Sequence, residues 1–140
     1  MRVVLDTNTV VSALLWGGLP YRLMQLAAAG EIELVTSPAL IAELADVLER
    51  SHLQPRITAQ NVSPGQLLAQ YQSFAQSVVP QSVPAVIAAD PDDDQVLACA
   101  LAGDAELIVS GDRHLHGLGG SYRGIAILRA AQAVKLFETG

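Results

Sequence analysis

Short apolar runs alternate along the chain with longer stretches in which apolar residues recur every three or four positions. The first run, Val3 to Leu5, is uninterrupted and contains two β-branched residues. Comparable runs lie within 31–36, 105–110 and 124–128. Uninterrupted runs of this length are typical of strands that are buried on both faces of a parallel sheet. The pattern therefore predicts four buried strands with helices between them.

Proline, glycine and capping residues mark the ends of the helices. Thr7 or Asn8 is expected to cap the first helix. Ser37-Pro38 and Ser63-Pro64 each place a capping side chain before a proline at the first helical position. Spacing and caps together predict helices over 9–15, 21–29, 37–50, 63–77, 95–102 and 129–137.

Two segments are less regular. Residues 51–63 are polar and contain Pro55, which predicts a loop or a weak helix. Residues 78–86 contain two prolines and are predicted to form an edge strand followed by a loop. The alternation as a whole predicts an α/β fold, a three-layer α/β/α sandwich with a mainly parallel central sheet, formed as one domain by residues 1–140.

Composition limits the setting in which the protein works. Hydrophobic residues make up 51% of the chain and charged residues 16%, so a large aliphatic core is expected. No apolar stretch approaches the roughly 20 residues of a membrane span. The first residues are not expected to be a secretory signal, because Asp6 and Asn8 interrupt their apolar run. Cys99 is the only cysteine, which excludes an internal disulfide and predicts a buried thiol in a reducing cytoplasm.

The net charge of −6 disfavours attraction to nucleic acid through the phosphate backbone alone. Carboxylates gathered around a divalent cation would also give an acidic total, and the cation would then reverse the sign of the local field. Six arginines are scattered in sequence and form no patch, so each is expected on the solvated surface. They are Arg2, Arg22, Arg50, Arg56, Arg113 and Arg123.

Acidic residues follow two of the predicted strands. Asp6 comes directly after the first strand, and Asp112 follows the strand that contains residues 107–109. If these strands are parallel neighbours, both side chains reach the crevice at the carboxyl edge of the sheet, where open α/β sheets bind ligands. Asp93 and Asp94 stand at the start of the helix before the second of these strands.

Glu43 lies on the margin of the buried stripe that Leu40, Leu44 and Val47 define. A carboxylate in that position must contact a partner or a cation, or turn out to water. Each acid also has an ordinary explanation: a helix cap, the helix macrodipole or a turn. All of these explanations would have to hold, with the acids reaching one sheet edge by coincidence, so a shared purpose is favoured.

Four motifs occur in order: V-L-D-T-N at 4–8, S-x-x-L-x-x-E at 37–43, D-P-D-D-D-x-x-L-A at 90–98 and L-I-V-S-G-D at 107–112. In these motifs, which span nearly the whole chain, the sequence resembles PIN-domain ribonucleases of the VapC-like kind, toxins of bacterial toxin–antitoxin pairs. The resemblance implies a set of functional residues, the acids Asp6, Glu43, Asp93 and Asp112 with the flanking polar residues Asn8 and Ser110.

The sequence departs from that pattern at two places. The aspartate run leaves the third acid open between Asp93 and Asp94, of which Asp93 has the better offset from the following apolar stretch. His114 stands where relatives often carry another acid, which would change the charge or the metal preference of the site. By spacing alone, His52, His114 and His116 form no paired set of metal ligands, and each is expected to be exposed or locally capping.

The resemblance implies a divalent-metal-dependent endoribonuclease that hydrolyses RNA phosphodiester bonds with metal-activated water. Carboxylates suit Mg²⁺ or Mn²⁺, hard cations that keep water ligands and bind substrate phosphate. Asp6, Asp93 or Asp94, and Asp112 are expected as metal ligands, and Glu43 as a ligand or as the base that orients the water. No Ser, Cys or His nucleophile with an adjacent base is apparent. RNA as the substrate comes from the resemblance alone.

Three other classes of protein are alternatives to the nuclease. A catalytically inactive PIN domain would act only as a binding module, but all four acids are present here. A receiver-like Mg²⁺-binding signalling domain needs an acidic doublet after its first strand and a late lysine, whereas Asp6 is single and Lys135 lies in the last helix. A phosphatase of the D-x-D type is disfavoured because Asn8 replaces the second acid.

The apolar composition also bears on assembly. An exposed apolar patch near the first two helices would favour association, since aromatic residues and methionine are enriched at interfaces. The residues predicted to form it are Leu14, Leu15, Trp16, Tyr21 and Met24. The alternative is that all five pack inside. The resemblance implies a homodimer and an antitoxin protein with a helical segment that lies in a nearby groove.

Overall fold

Within the described residues, six strands form one sheet around the first of them. The structure is a computed structural model that describes residues 1–83 and 91–139. The strands, β1 to β6 in chain order, are Arg2–Leu5, Glu33–Thr36, Ala75–Ser77, Leu107–Val109, Ser121–Tyr122 and Ile125–Leu128. Their order in the sheet is β3-β2-β1-β4-β6-β5. All neighbours are parallel except β5 and β6, which are antiparallel.

Helices connect the strands and cover both faces of the sheet. In chain order, α1 to α8 are Thr7–Leu15, Gly18–Ala28, Pro38–Leu48, Gln54–Ala59, Pro64–Phe74, Pro91–Ala102, Arg113–His116 and Ala130–Thr139. A short 3-10 helix at Ser51–Leu53 precedes α4. None of the helices in the described ranges is long and apolar enough to cross a membrane.

Alternate residues of the central strands enter two different cores. Val3 and Leu5 of β1 pack into one cluster with residues of α1, α2 and α8. Val4, between them, packs into the other cluster with Ile108 of β4 and the buried face of α6. A strand that is buried on both faces alternates in this way because its side chains point to opposite sides of the sheet. The predicted three-layer sandwich with a mainly parallel sheet is confirmed.

The pairing of β1 with β4 brings distant parts of the chain together. Leu5 lies in register with Val109, and the Asp6 N–H donates to the Val109 carbonyl at 3.1 Å. The residues that follow both strands therefore leave the sheet side by side at its carboxyl edge. This is the arrangement that the apolar runs predict for Asp6 and Asp112.

Several predicted boundaries are wrong. The first helix begins at Thr7, two residues early, and Asp6 rather than Thr7 or Asn8 caps it. The helix predicted to reach residue 77 ends at Phe74, and 75–77 form the edge strand β3 instead. The edge strand predicted at 78–86 is therefore misplaced: residues 78–83 lie outside any strand, and 84–86 lie outside the described residues.

The predicted apolar patch is only partly exposed. Leu14, Leu15 and Met24 are buried in the core cluster of α1 and α2, where helical spacing turns them toward the sheet. Trp16 and Tyr21 are 55% and 42% exposed. The prediction is therefore wrong for Leu14, Leu15 and Met24, whose side chains are part of the core.

Candidate metal centre

Asp6 links the end of β1 to the start of α1 and is only 5% exposed. One carboxylate oxygen, Oδ1, accepts a hydrogen bond from the Thr9 backbone N–H at 2.8 Å, which caps α1. The other oxygen, Oδ2, accepts a hydrogen bond from the Ser110 hydroxyl. The capping explanation for Asp6 therefore holds locally, and the same carboxylate also contacts the residue that follows β4.

Ser110 is fully buried directly after β4 and organises the turn that carries Asp112. Its hydroxyl oxygen accepts the Asp112 backbone N–H at 2.9 Å. Asp112 Oδ1 then accepts the His114 backbone N–H at 2.7 Å and caps α7. His116 Nε2 donates to the Ser110 carbonyl at 2.6 Å, because that oxygen can only accept. These bonds hold the short segment from Ser110 to His116 in one conformation.

The aspartate run forms the first turn of α6, which begins at Pro91 rather than at Gln95. The N-terminal turn of a helix favours negative charge because unpaired backbone N–H groups point out of it. Asp93 and Asp94 are buried, whereas Asp92 is exposed. The macrodipole accounts for acids in this turn but not for the burial of two of them, which costs free energy unless a partner or cation compensates.

Glu43 is half-buried two turns into α3. The helix starts where Ser37, itself fully buried, accepts the Leu40 backbone N–H at 3.3 Å. Leu40 and Leu44 pack into the cores on either side. Their anchoring of α3 carries Glu43 to the same end of the sheet as Asp6.

These acids line one cavity of about 50 Å³, here called the acidic cavity. Its lining residues are Asp6, Thr7, Asn8, Glu43, Asp92, Asp93, Val96 and Asp112. All four acids of the predicted quartet are among them, as is Asn8. Ser110 lies behind the cavity, bonded to Asp6, and Asp94 is buried but is not a lining residue. Between the two alternatives for the third acid, the geometry favours Asp93.

His114 approaches two of these carboxylates. Its Nδ1 atom lies 3.4 Å from Asp112 Oδ1 and 3.7 Å from Asp93 Oδ2. One donor atom from each of the three residues lies within 4.8 Å of the others, a spacing that suits a metal ion. The expectation of an exposed or merely capping histidine is therefore wrong for His114. Sequence spacing missed this contact because Asp93 reaches the histidine from a different helix.

The donor set fits a divalent cation. Several carboxylates within one small cavity repel one another, and a cation would relieve that repulsion. Carboxylate oxygens are ordinary ligands of Mg²⁺ and Mn²⁺, and an imidazole nitrogen is an ordinary ligand of transition-series cations. Asp92 and Thr7 are lining residues that sequence reasoning did not single out. In the sequence, the one indication of a site role for these two residues is that Asp92 is next to Asp93 and Thr7 is next to Asp6.

One known protein family matches most of the chain. The PIN domain family matches residues 2–114, a range that contains every acid of the acidic cavity. The chain belongs to the PIN domain family. This membership agrees with the strand order and with the resemblance carried by the four motifs. No curated protein sequence matches the chain significantly.

Two solved structures share the PIN fold with this chain. One is the crystal structure of VapBC2 from Rickettsia felis bound to a DNA fragment from its promoter, with 15% identity and a TM-score of 0.64. That match covers 91% of this chain and 97% of the other. The second is PAE2754 from Pyrobaculum aerophilum, with 14% identity, a TM-score of 0.68, and coverage of 100% and 91%. At these identities the likeness concerns the fold.

Proposed function

We propose that this PIN-domain protein is a divalent-metal-dependent endoribonuclease that hydrolyses RNA phosphodiester bonds with water. The observation that carries the proposal is the convergence of Asp6, Glu43, Asp93 and Asp112 on the acidic cavity. These residues come from four separate parts of the chain, and local capping or turn formation gives no reason for them to meet. Membership of the PIN domain family supports the same reading.

Each acid is assigned a role. Asp6, Asp93 and Asp112 would hold Mg²⁺ or Mn²⁺, and we assign the third ligand to Asp93 because Asp94 does not line the cavity. Glu43 would bind the cation or orient the attacking water as a base. When bound, such a cation polarises the phosphate and lowers the pKa of a water molecule, which supplies the nucleophile without a Ser or Cys.

Two arginines offer positive charge to an RNA strand near the acidic cavity. Arg113 follows Asp112 directly and is exposed. Arg129 Nη1 donates to the Gly111 carbonyl at 3.2 Å, which holds this guanidinium beside the same turn. Since the whole chain carries a net charge of −6, such local cations would matter for phosphate binding.

The proposal is tested by cleavage of single-stranded RNA in the presence and absence of Mg²⁺ or Mn²⁺. Asp6→Asn should abolish cleavage, because a ligand charge is lost while the amide oxygen can still cap α1 at Thr9. Asp46→Asn is the matched control, since Asp46 is exposed on α3. It should cleave like the parent.

Three outcomes would each count against a different part of this proposal. Cleavage that persists in excess chelator would exclude metal dependence. Absence of cleavage by the parent protein, together with retained binding of divalent metal, would support a PIN domain that acts only as a binding module. Equal activity of Asp6→Asn and the parent would show that Asp6 is not a ligand.

We further propose that the protein is the toxin of a cytoplasmic toxin–antitoxin pair and forms a homodimer. The likeness to a VapBC2 structure supports an antitoxin partner. Trp16, Leu19 and Tyr21 are exposed around the start of α2 and offer apolar area to a second chain. The Arg56 guanidinium lies 5.7 Å from the centre of the Trp16 ring and orients it.

Light scattering at micromolar concentration tests the dimer. Trp16→Ser should shift the mass from dimer to monomer, whereas Val79→Ser, which changes an exposed apolar residue after β3, should leave it unchanged. A monomeric parent would contradict the dimer and leave the nuclease proposal intact. Coexpression with the product of a neighbouring small reading frame, followed by affinity purification, tests the antitoxin partner.

A further inference from the structure

His114 Nδ1 is a buried nitrogen atom that makes no hydrogen bond with any of the described residues. Its nearest carboxylate oxygens are those of Asp112 at 3.4 Å and Asp93 at 3.7 Å. Both distances exceed the range of about 2.7 to 3.2 Å for an N–H···O hydrogen bond. The imidazole therefore faces two carboxylates at ion-pair distance without a hydrogen bond to either of them.

The same separations are those of neighbouring metal ligands. Nitrogen and oxygen ligands about 2.0 to 2.2 Å from a cation lie roughly 2.8 to 3.1 Å apart in octahedral sites and roughly 3.3 to 3.6 Å apart in tetrahedral sites. The two His114 distances match the tetrahedral range to within a few tenths of an ångström, and all three donor atoms lie within 4.8 Å of one another.

The backbone holds the imidazole in this position. The His114 N–H donates to Asp112 Oδ1 at 2.7 Å, so the residue is tied to the carboxylate that its ring approaches. Two residues later, His116 Nε2 donates to the Ser110 carbonyl at 2.6 Å and closes the turn. The His114 side chain remains 34% exposed, which leaves the centre open to ions from solvent.

We propose that His114 is a nitrogen ligand of the metal centre, joining Asp93 and Asp112 through Nδ1. The inference rests on the proposed function, which places a divalent cation in the acidic cavity. It adds a preference among the possible cations. Imidazole favours transition-series cations, whereas a site made only of carboxylates suits Mg²⁺. The centre therefore prefers Mn²⁺, Co²⁺ or Zn²⁺ to Mg²⁺.

The test is nuclear magnetic resonance of the protein labelled with ¹⁵N-histidine and titrated with Zn²⁺. The chain has three histidines, so the ring signals can be assigned with one variant each. We expect the Nδ1 signal of His114 to shift at one equivalent of Zn²⁺, while the signals of exposed His52 stay in place. This spectroscopic change reports ligation directly, which a structural role would not produce.

A second measurement compares metal affinities of the parent and His114→Asp by calorimetry. The variant keeps a ligand of similar reach but replaces nitrogen with oxygen. The ratio of Zn²⁺ to Mg²⁺ affinity should fall by about 10- to 100-fold, the range seen when groups that tune a metal site are changed. His52→Asp is the matched control and should keep the ratio of the parent.

The outcomes separate this inference from the proposed function. A His114 signal that stays unchanged while Zn²⁺ binds, or an unchanged affinity ratio in His114→Asp, would overturn the nitrogen ligand and leave the nuclease standing. Ligation by His114 in a protein that cleaves no RNA with any of the four cations would support the inference and overturn the proposed function. Failure to bind any divalent cation would overturn both.

Discussion

The Ser110 hydroxyl donates a hydrogen bond to Asp6, a residue 104 positions earlier in the chain. The same hydroxyl oxygen accepts the backbone N–H of Asp112 at 2.9 Å. One small side chain thus connects the carboxyl ends of β1 and β4. Ser110 is fully buried, so it acts through the two aspartates that it positions and not through contact with a substrate.

Ser110→Ala should weaken metal binding while leaving the fold intact. The variant removes a bond that orients Asp6 and leaves the Asp112 N–H without its acceptor, and loss of such outer contacts typically lowers metal affinity by about 10- to 100-fold. Calorimetric titration with Mn²⁺ measures the effect. Ser73→Ala is the control, because Ser73 is exposed and bonds only within α5, to the Gln70 carbonyl. Parent-like affinity in Ser110→Ala would contradict the positioning role.

Stability should decline at alkaline pH because of Cys99. Burial raises the pKa of the Cys99 thiol from 9.0 to about 12, against a smaller lowering by a hydrogen bond with Ser37. Between these values the folded protein keeps a proton that the unfolded chain releases, so the free energy of unfolding falls as the pH rises. Urea titrations at several pH values within that range measure the slope.

Cys99→Ala is the matched variant for the alkaline decline. Cys99→Ala should lose less stability than the parent as the pH rises above 9.0, because the variant has no thiol proton that the folded state keeps and the unfolded chain releases. In the folded parent at neutral pH, the thiol should also resist labelling by an alkylating reagent and react only after unfolding. Rapid labelling of the folded protein would contradict the burial of Cys99.

Tyr71→Phe should stabilise the protein. The Tyr71 hydroxyl is buried and makes no hydrogen bond with the described residues. Burial, with smaller effects from Cys99 and Asp6, raises the pKa of this phenol above its usual range. Removing a buried oxygen that has no hydrogen-bond partner among the described residues should raise the free energy of unfolding by about 1 kcal/mol. Thermal and urea unfolding measure it, and a destabilised variant would contradict the unbonded state.

Gly103, directly after α6, lies close against Val35 of β2. A Cβ atom there would lie 2.6 Å from Val35 Cγ1 and 3.2 Å from the Cys99 carbonyl. Gly103→Ala should therefore lower the free energy of unfolding by about 1 to 3 kcal/mol through overpacking. Gly65→Ala is the control, since Gly65 is exposed in the first turn of α5 and a Cβ atom there would lie 3.9 Å from its nearest neighbour, the Ser63 hydroxyl. It should raise stability by up to about 1 kcal/mol through helix propensity.

The sequence anticipated the parts of the site that depend on strand position. Asp6 and Asp112 were predictable because each follows an apolar run, and parallel neighbours deliver such residues to one edge. Glu43 was suggested by its place beside a buried stripe. For the third acid, the sequence favoured Asp93 over Asp94 only by its offset, because adjacent helix residues point about 100° apart and a one-residue shift changes which of them faces the cavity. The structure places Asp93, and not Asp94, in the lining of the acidic cavity.

Other features lay beyond what pattern could predict. The four-residue helix α7 is too short to show a helical period, so the approach of His114 to Asp93 could not be read from periodicity, although the resemblance had placed His114 at a site position. The boundary at Phe74 was missed for a related reason. Ser63 caps the start of α5, a feature that the sequence shows. The end of α5 is set by the pairing of Ala75 with Leu34 of β2, which is a tertiary contact.

The parallel pairing of β1 with β4 also orders events in time. Because synthesis runs from the amino end, Asp6 is joined to the chain 106 residues before Asp112, which follows β4. A nascent chain that ends just before β4 therefore contains Asp6, Glu43 and Asp93 but lacks Asp112, so it cannot complete the acidic cavity. Under the proposed function, RNA cleavage would thus be withheld from unfinished copies of the chain that lack β4 and the residues after it.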